Sequence, residues 1–248
     1  MPARRVPALV LVLVVVGCGA HVLPAMRSES ERLATARRLR EQGDCAEAIE
    51  LLKTYVTNAA GAAQVDEAVY WLGDCYLRTK DWALAAGEFE RLLRDYPESD
   101  SSAAASFALG EAYFGQAGRE DFDQEFTIKA LEQWQSYLRE HPGHWRYAEG
   151  ERRVATARTR LANKLARTGT LYLKLRLWEP ARVYFLKVKE EYSDTPADSE
   201  ARLGLALCDA GQGRRDDAIA ELKQLEERHP GERVAERAAR ARKRLERR

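Results

Sequence analysis

The feature that most constrains the fold of this 248-residue sequence is a pattern of small and aromatic residues that occurs five times. Its clearest copy is the stretch VYWLGDCYLRTKDWALAAGEFERLLRDYP at 69–97. The landmarks of this copy, in order, are Leu72, Gly73, Tyr76, Ala85, Phe89 and Pro97. Small residues are needed where two helices cross closely, large ones fill the space beside the crossing, and a proline ends the second helix. Each copy therefore predicts one pair of packed helices.

The copies can be aligned on an alanine of the second helix. These anchors are Ala48, Ala85, Ala130, Ala181 and Ala218, at intervals of 37, 45, 51 and 37 residues. The motif is that of tetratricopeptide repeats, whose period is about 34 residues. The extra length predicts a loop at 118–126 in the third repeat and a long first helix, Tyr147–Ala166, in the fourth.

The fold class follows from this periodicity. Alternation with period two is absent, so no strands are predicted. We expect an all-α solenoid of about five helix pairs over residues 30–248, ending after Pro230 in a capping helix with a basic tail.

The N-terminal segment has the character of an export signal. The apolar run Val6–Val16 follows two arginines and is well short of the roughly 20 residues that a membrane-spanning helix needs. Its ending, VVGC at 15–18, resembles the lipobox of bacterial lipoproteins. That resemblance implies removal of residues 1–17, lipid on Cys18, and a tether over 18–29. An ordinary signal peptide with an incidental cysteine is the alternative.

Charge and cysteine usage narrow the function classes further. Lys and Arg number 40 against 39 Asp and Glu, so no basic excess points to nucleic acid. Beyond Cys18, the cysteines Cys45, Cys75 and Cys208 are few and far apart. This spacing favours small buried hydrophobic residues over a disulfide framework. A Cys45–Cys75 bridge in an oxidising compartment remains open.

No catalytic constellation stands out in the sequence. His141 and His144 bracket a turn, HPGH, without acidic or cysteine residues at a recognised ligand spacing. Metalloprotease, serine-hydrolase and phosphate-loop motifs are missing from the sequence. We therefore predict no enzyme activity, no metal and no cofactor.

The repeats predict a binding surface instead. Certain template positions of each first helix usually face the inside of the superhelix. The residues at these positions that we assign to a peptide groove are Arg37, Arg40, Tyr70, Asp74, Phe107, Glu111 and Phe114. Aromatic and arginine side chains would suit a peptide with aromatic residues and a terminal carboxylate. The alternative is that the aromatic residues pack between repeats.

Two longer stretches carry a resemblance to a known family. FDQEFTIKALEQWQSYLREHP at 122–142 resembles the acidic loop and following helix of the BamD family of outer-membrane lipoproteins. Residues 146–197, with an Arg-Leu-Ala run, YLK and a closing YSDTP, resemble the long fourth repeat of that family. The resemblance covers about residues 28–230. The first repeat departs from it, because 54–64 reads TYVTNAAGAAQ where the family has a Tyr-Pro turn.

The resemblance implies a place in the β-barrel assembly (BAM) complex, on the periplasmic face of the outer membrane. In that family the C-terminal repeats bind the periplasmic POTRA domains of the BamA barrel. Unfolded barrel proteins present an aromatic C-terminal signal to the N-terminal repeats. Gly19 after Cys18 is consistent with sorting to the outer membrane. The residues expected at the BamA contact are Arg176, Arg182, Arg214 and Arg215.

Other envelope scaffolds are the alternatives. The second repeat by itself also resembles the repeats of CpoB, a periplasmic regulator associated with the Tol–Pal system. A lipoprotein scaffold for pili or secretins would carry the same kind of repeats, since repeats do not identify their partner.

Overall fold

The computed structural model describes residues 28–58 and 61–247, which form eleven α-helices and no strand. The predicted signal segment 1–17, Cys18 and most of the tether lie outside these residues. The helices are α1 (Glu29–Gln42), α2 (Cys45–Asn58), α3 (Val65–Thr79), α4 (Trp82–Asp95), α5 (Ser102–Gln116), α6 (Glu125–Glu140), α7 (Tyr147–Lys174), α8 (Trp178–Glu191), α9 (Ala197–Gly211), α10 (Arg215–Arg228) and α11 (Arg233–Glu246).

The helices stack in chain order as five pairs followed by one more helix. Each helix packs against the next, and odd-numbered helices also contact each other, α1 with α3, α3 with α5, α7 with α9 and α9 with α11. We call the surface formed by these odd-numbered helices the inner face. The predicted all-α tetratricopeptide solenoid is confirmed, with α11 covering the last pair. Among the described helices, none combines the length and the apolar composition that crossing a bilayer requires.

Close helix crossings explain the small residues of the repeat pattern. All five anchor alanines are fully buried. In the second repeat, a Cβ atom placed on Gly73 would lie 2.7 Å from the ring of Phe89 on the partner helix. The equivalent pairs in the third and fourth repeats are Gly110 with Trp134 and Gly169 with Phe185. A glycine on the first helix thus receives an aromatic ring from the second.

The fourth repeat is where the structure differs from the sequence-based boundaries. Helix α7 begins at Tyr147 as predicted, but it continues to Lys174 rather than ending at Ala166. Gly169 does not interrupt it, because the bare backbone there receives the ring of Phe185. Helix α8 then begins with Pro180 in its first turn, where a missing N–H leaves no hydrogen bond broken.

The loop of the third repeat occupies residues 117–124, between α5 and α6. Its conformation is fixed by Gln124, whose Nε2 donates to the carbonyl oxygens of Arg119, Phe122 and Asp123 at 3.0–3.2 Å. The Gln124 side chain is buried. The inserted segment is therefore an ordered part of the solenoid that lies beside α7.

Candidate functional site

An arginine-rich end of the inner face is formed by α1 and α3. Arg40 Nε donates to Asp74 Oδ2 at 2.8 Å, and Arg78 Nη2 lies 2.9 Å from the same oxygen. The guanidinium carbons of Arg37 and Arg40 lie 5.7 and 5.5 Å from the ring centroid of the buried Trp71. Arg40 is therefore held between two helices and joins the first repeat to the second.

Arg37 is the more available of the two predicted carboxylate ligands. Its Nε donates to Glu41 on the same helix at 3.0 Å, and both side chains are more than half exposed. Exposed pairs of this spacing contribute only about 0.3–0.5 kcal/mol. An incoming carboxylate can replace Glu41 at little cost, whereas displacing Asp74 from Arg40 would break the ion pair that joins α1 to α3.

Tyr70 lies next along the inner face and is half-buried. Its ring centroid is 5.9 Å from that of Phe89. Burial raises the pKa of the Tyr70 hydroxyl, Asp74 raises it further, and Arg40 and Arg146 oppose the change. Tyr70 therefore stays a neutral hydrogen-bonding group on a partly open apolar surface.

Phe107 does not line an accessible groove, which corrects its assignment from the repeat template. The side chain is fully buried. Its ring meets Tyr137 edge-on at 5.4 Å between centroids, and the guanidinium carbon of Arg146 lies 3.8 Å from its centroid. The arginine covers the ring from the solvent side, so Phe107 supports the surface without forming it.

Arg146 is the inner-face residue that sequence reasoning missed. It precedes α7 and donates from Nε to Glu149 Oε2 at 2.9 Å, which is the main reason that the pKa of Glu149 is lowered. It also influences the pKa of Tyr70, which places its charge near α3. The template search considered only positions inside first helices, whereas Arg146 reaches the inner face from a turn.

An ion-pair network continues between α5 and α7. Glu111 Oε1 lies 2.7 Å from Arg153 Nε, and Arg153 Nη2 lies 3.7 Å from Glu149. Burial raises the pKa of the Glu111 carboxyl, while Arg153 and Arg146 oppose the change. The predicted groove residue Glu111 is thus engaged in holding the fourth repeat to the third.

Phe114 borders an open pocket of about 410 Å³ between α5, the 117–124 loop and α7. Its ring lies 5.5 Å from Trp134, and Arg160 lies 5.2 Å from its centroid. Residues around this pocket include Glu120, Thr156, Thr159, Arg160 and Asn163. Half-buried and beside polar groups, Phe114 can contact a side chain that enters the pocket.

Cations of α7 hold the 117–124 loop against this helix. Arg160 donates to the carbonyl oxygen of Gly118 and, at 2.9 Å, to Gln124 Oε1. Lys164 Nζ donates to the carbonyl oxygen of Phe122 at 2.9 Å. These contacts attach the loop of the third repeat to the first helix of the fourth.

The four arginines assigned to a partner contact fall into two groups. Arg182 Nη1 and Arg214 Nη2 lie 2.5 and 2.6 Å from the same oxygen of the buried Asp209. Arg176 and Arg215 are exposed, the first in the turn after α7 with φ +58° and the second at the start of α10. The first two join repeats together, and the second two lie on the surface.

Of the two exposed arginines, Arg176 has apolar neighbours in sequence. The large apolar side chains Leu171, Leu175 and Leu177, around Arg176, are each about half exposed. Arginine beside apolar surface is typical of protein interfaces. The end of α7 is therefore a second candidate surface, separate from the inner face.

Two of the described histidines, His144 and His229, have structural contacts. Tyr137 Oη and His144 Nδ1 are 2.7 Å apart, and His229 Nδ1 is 3.2 Å from Glu232. Within residues 28–58 and 61–247, no group of three potential metal ligands comes together.

Comparison with known proteins gives two family matches. Residues 26–208 match the YfiO family, described as an outer-membrane lipoprotein, and residues 200–231 match a tetratricopeptide repeat family. No curated protein sequence matches the chain.

Solved structures of repeat proteins are also similar. A tetratricopeptide repeat protein from Parabacteroides merdae shows 19% identity over 89% of this chain and 73% of its own, with a TM-score of 0.39. TTC0263, a thermophilic tetratricopeptide protein from Thermus thermophilus, shows 21% identity over 86% of this chain and 98% of its own, with a TM-score of 0.40.

Proposed function

Since the chain belongs to the YfiO (BamD) family of outer-membrane lipoproteins, we propose that it is a lipid-anchored scaffold of the complex that assembles β-barrel proteins in the outer membrane. The observation that carries this proposal is the family match over residues 26–208, which spans the N-terminal groove and α7. A tetratricopeptide solenoid is suited to such a role because it presents extended surfaces to more than one partner.

Lipid on Cys18 is the proposed anchor. Removal of residues 1–17 would leave Cys18 at the new N-terminus, and the solenoid begins at Glu29 after a short tether. Two or three acyl chains bind a protein to a membrane firmly. The inner face would then lie in the periplasm, close to the membrane surface.

The N-terminal part of the inner face is the proposed site for unfolded barrel proteins. It offers the exposed guanidinium of Arg37, the partly open ring of Tyr70 and the pocket beside Phe114. A C-terminal carboxylate would pair with Arg37, and aromatic side chains would lie against Tyr70 and Phe114. Arg40, Asp74, Phe107 and Glu111 would keep these groups in position.

The C-terminal repeats are the proposed site for the POTRA domains of a BamA-type barrel. Arg176 and Arg215 are exposed there, and the leucines at the end of α7 add apolar surface. Arg182 and Arg214 would act indirectly, because Asp209 holds both within the solenoid. We infer a non-catalytic role, in which binding alone brings substrate and barrel together.

Co-purification tests this proposal. The full-length chain, tagged at its C-terminus, is extracted from membranes with mild detergent, and bound proteins are identified by mass spectrometry. Cys18→Ala is prepared in parallel as the unlipidated control. We expect a large β-barrel protein with POTRA domains to dominate, and we expect Cys18→Ala to leave the membrane fraction.

Other outcomes discriminate among envelope scaffolds. Recovery of Tol–Pal, pilus or secretin components in place of the barrel would overturn the assignment to β-barrel assembly. Retention of Cys18→Ala in the outer membrane, with its barrel partner depleted from the same cells, would overturn the lipid anchor.

A further inference from the structure

Two cysteines from different repeats meet in the first core of the solenoid. Cys45 is the first residue of α2, and Cys75 lies in α3. Both side chains are buried in the same hydrophobic cluster, and α2 packs directly against α3. The Cys45 thiol is among the groups that raise the pKa of the Cys75 thiol, as a close neighbour would. Residues 30 positions apart in the sequence are thus side by side in the fold.

The compartment decides what such a pair becomes. Thiols stay reduced in the cytosol, whereas adjacent thiols in secreted and envelope proteins are oxidised. Membership of an outer-membrane lipoprotein family places the folded chain in the envelope. We propose that Cys45 and Cys75 form an intramolecular disulfide that joins the first repeat to the second. The proposal depends on this location and not on which partner the scaffold binds.

The oxidant is a disulfide, of a protein or of a small molecule. One cysteine thiolate attacks that disulfide, forms a mixed disulfide and releases one sulfur of the oxidant as thiolate. The second cysteine, as thiolate, then attacks the mixed disulfide and releases the other sulfur. The two cysteines lose two protons and two electrons in total, and the oxidant becomes a pair of thiols.

Burial determines when the bond forms. Burial raises the pKa of the Cys75 thiol, and the neighbouring Cys45 raises it further. The reactive thiolate is therefore scarce once the core has closed. The disulfide consequently forms while the chain is folding, before α2 and α3 have packed, and the finished core then protects it from reductants.

The bond would connect α2 and α3 at a repeat junction of unusual sequence. The connecting stretch TYVTNAAGAAQ at 54–64 lacks the proline that ends other repeats of this chain, such as Pro97 and Pro142. A covalent link between Cys45 and Cys75 closes a loop that contains this stretch. It would also hold α1 at the position where Arg40 reaches Asp74, because α1 packs on α2.

Cys208 provides an internal control. It is buried in α9, in a different cluster that contains Ala181 and Phe185. Neither of the other described cysteines belongs to that cluster. We therefore expect Cys208 to remain a thiol in the same molecules in which Cys45 and Cys75 are bonded.

Thiol labelling of the native chain tests the proposal without any variant. The full-length lipoprotein is purified from envelopes without reductant, denatured and alkylated. It is then digested with trypsin, and the peptides are compared before and after reduction. Cys45, Cys75 and Cys208 fall on separate tryptic peptides, namely 41–53, 54–78 and 203–214. We expect 203–214 to be alkylated at once and the other two to appear as one linked species until reduction. Full alkylation of all three peptides before reduction, or a link that involves Cys208, would overturn the proposal.

A stability measurement distinguishes a disulfide from two neighbouring free thiols. Reduction in denaturant, followed by refolding with reductant present, should lower the melting temperature of the native chain by on the order of 5–10 °C. It should leave the Cys45→Ala/Cys75→Ala variant unchanged, and Cys208→Ala should respond as the native chain does. An equal effect of reductant on the native chain and on the double variant would contradict the proposal.

Discussion

At the scale of single residues, Arg182 and Arg214 were predicted to contact a partner protein, and both instead pair with the buried carboxylate of Asp209. Arg182 comes from α8 and Arg214 precedes α10, and both meet one oxygen of Asp209 on α9. Removing that carboxylate would leave two guanidinium groups facing each other with no anion between them.

Asp209→Ala should therefore lower the free energy of unfolding by about 2 kcal/mol, because a hydrogen-bonded carboxylate with two cationic partners is lost. Urea unfolding followed by circular dichroism measures this. Glu227→Gln, an exposed site on the next helix, serves as the control and should change stability by less than about 0.5 kcal/mol. Equal stability of the two variants would show that Asp209 does not hold the two arginines.

Arg37 is the residue on which the proposed recognition of a terminal carboxylate depends. A peptide with aromatic residues and a free C-terminus should bind Arg37→Ala about fivefold more weakly than the native chain, a loss of about 1 kcal/mol. Arg38→Ala, exposed on the same helix, is the matched control and should bind normally. Isothermal titration measures these affinities. With the same peptide amidated at its C-terminus, the native chain and Arg37→Ala should bind with equal affinity. A difference that persists with the amide would mean that Arg37 acts through something other than the carboxylate.

Residue roles on the inner face could be predicted from the sequence only in part. Template positions located Arg40, Asp74 and Glu111, which the structure shows paired across neighbouring helices. The sequence left two alternatives for Phe107, and its ring is covered partly by Arg146, which follows an irregular turn outside the repeat template. Contacts between a turn and a helix of another repeat have no sequence periodicity.

At the scale of helices, the glycine–aromatic crossing is the unit that sets how closely a pair packs. Trp134 is fully buried and donates from Nε1 to the carbonyl oxygen of Phe107 at 3.2 Å. A Cβ atom on Gly110 would lie 2.3 Å from that same nitrogen. The ring has little room to move without losing its hydrogen bond.

Gly110→Ala should therefore destabilise the protein by about 1–3 kcal/mol through overpacking. Gly87→Ala, in the interior of α4 with no atom near the added methyl group, should instead stabilise by about 0.5–1 kcal/mol. Thermal unfolding of both variants gives the comparison. A stabilising effect of Gly110→Ala would show that the crossing is looser than the structure indicates.

Helix α11 is attached to α10 by a charged contact that responds to pH. Arg242 donates from Nε and Nη2 to the two oxygens of Glu226 at 2.7 and 3.0 Å, and this contact holds the pKa of Glu226 below its usual range. The carboxylate is thus ionised more readily in the folded protein than in the unfolded chain. Its contribution to stability is present above the ordinary pKa of glutamate, about 4.3, and is lost as pH falls through the lower folded value.

Amide hydrogen exchange of α11 should accordingly speed up below about pH 4 in the native chain, after correction for the intrinsic pH dependence of exchange. Glu226→Gln should show faster exchange already at pH 7 and little further change on acidification. Exchange rates of α11 that are identical in the two proteins at pH 7 would mean that packing alone holds this helix.

The boundaries of helices were predictable where prolines and turn residues mark them and less so where they do not. The start of α7 and the positions of the repeat-ending prolines follow from local chemistry. The length of α7 does not, because the helix continues past the predicted end at Ala166 and includes Gly169, which packs against Phe185.

At the scale of the whole molecule, the solenoid was predictable because the same pattern specifies each helix pair. Five consistent copies are compatible with few folds other than stacked helix pairs. Stacking then follows, since each helix pair buries its apolar face on its neighbours. The partners do not follow from the repeats, because exposed arginines and leucines near α7 are compatible with many proteins. Membership of the YfiO family adds the class of outer-membrane lipoprotein, on which the proposed partners rest.

We propose that the two ends of one solenoid bind two different partners in outer-membrane assembly. Site-specific photocrosslinking in living cells tests this, with a photoreactive residue placed at position 37, 176 or 215, and at 227 as a control. We expect crosslinks from 176 and 215 to one large barrel protein with POTRA domains, crosslinks from 37 to unfolded barrel proteins, and none from 227. Crosslinks from 37, 176 and 215 to the same protein, or from 176 and 215 to Tol–Pal, pilus or secretin components, would contradict it.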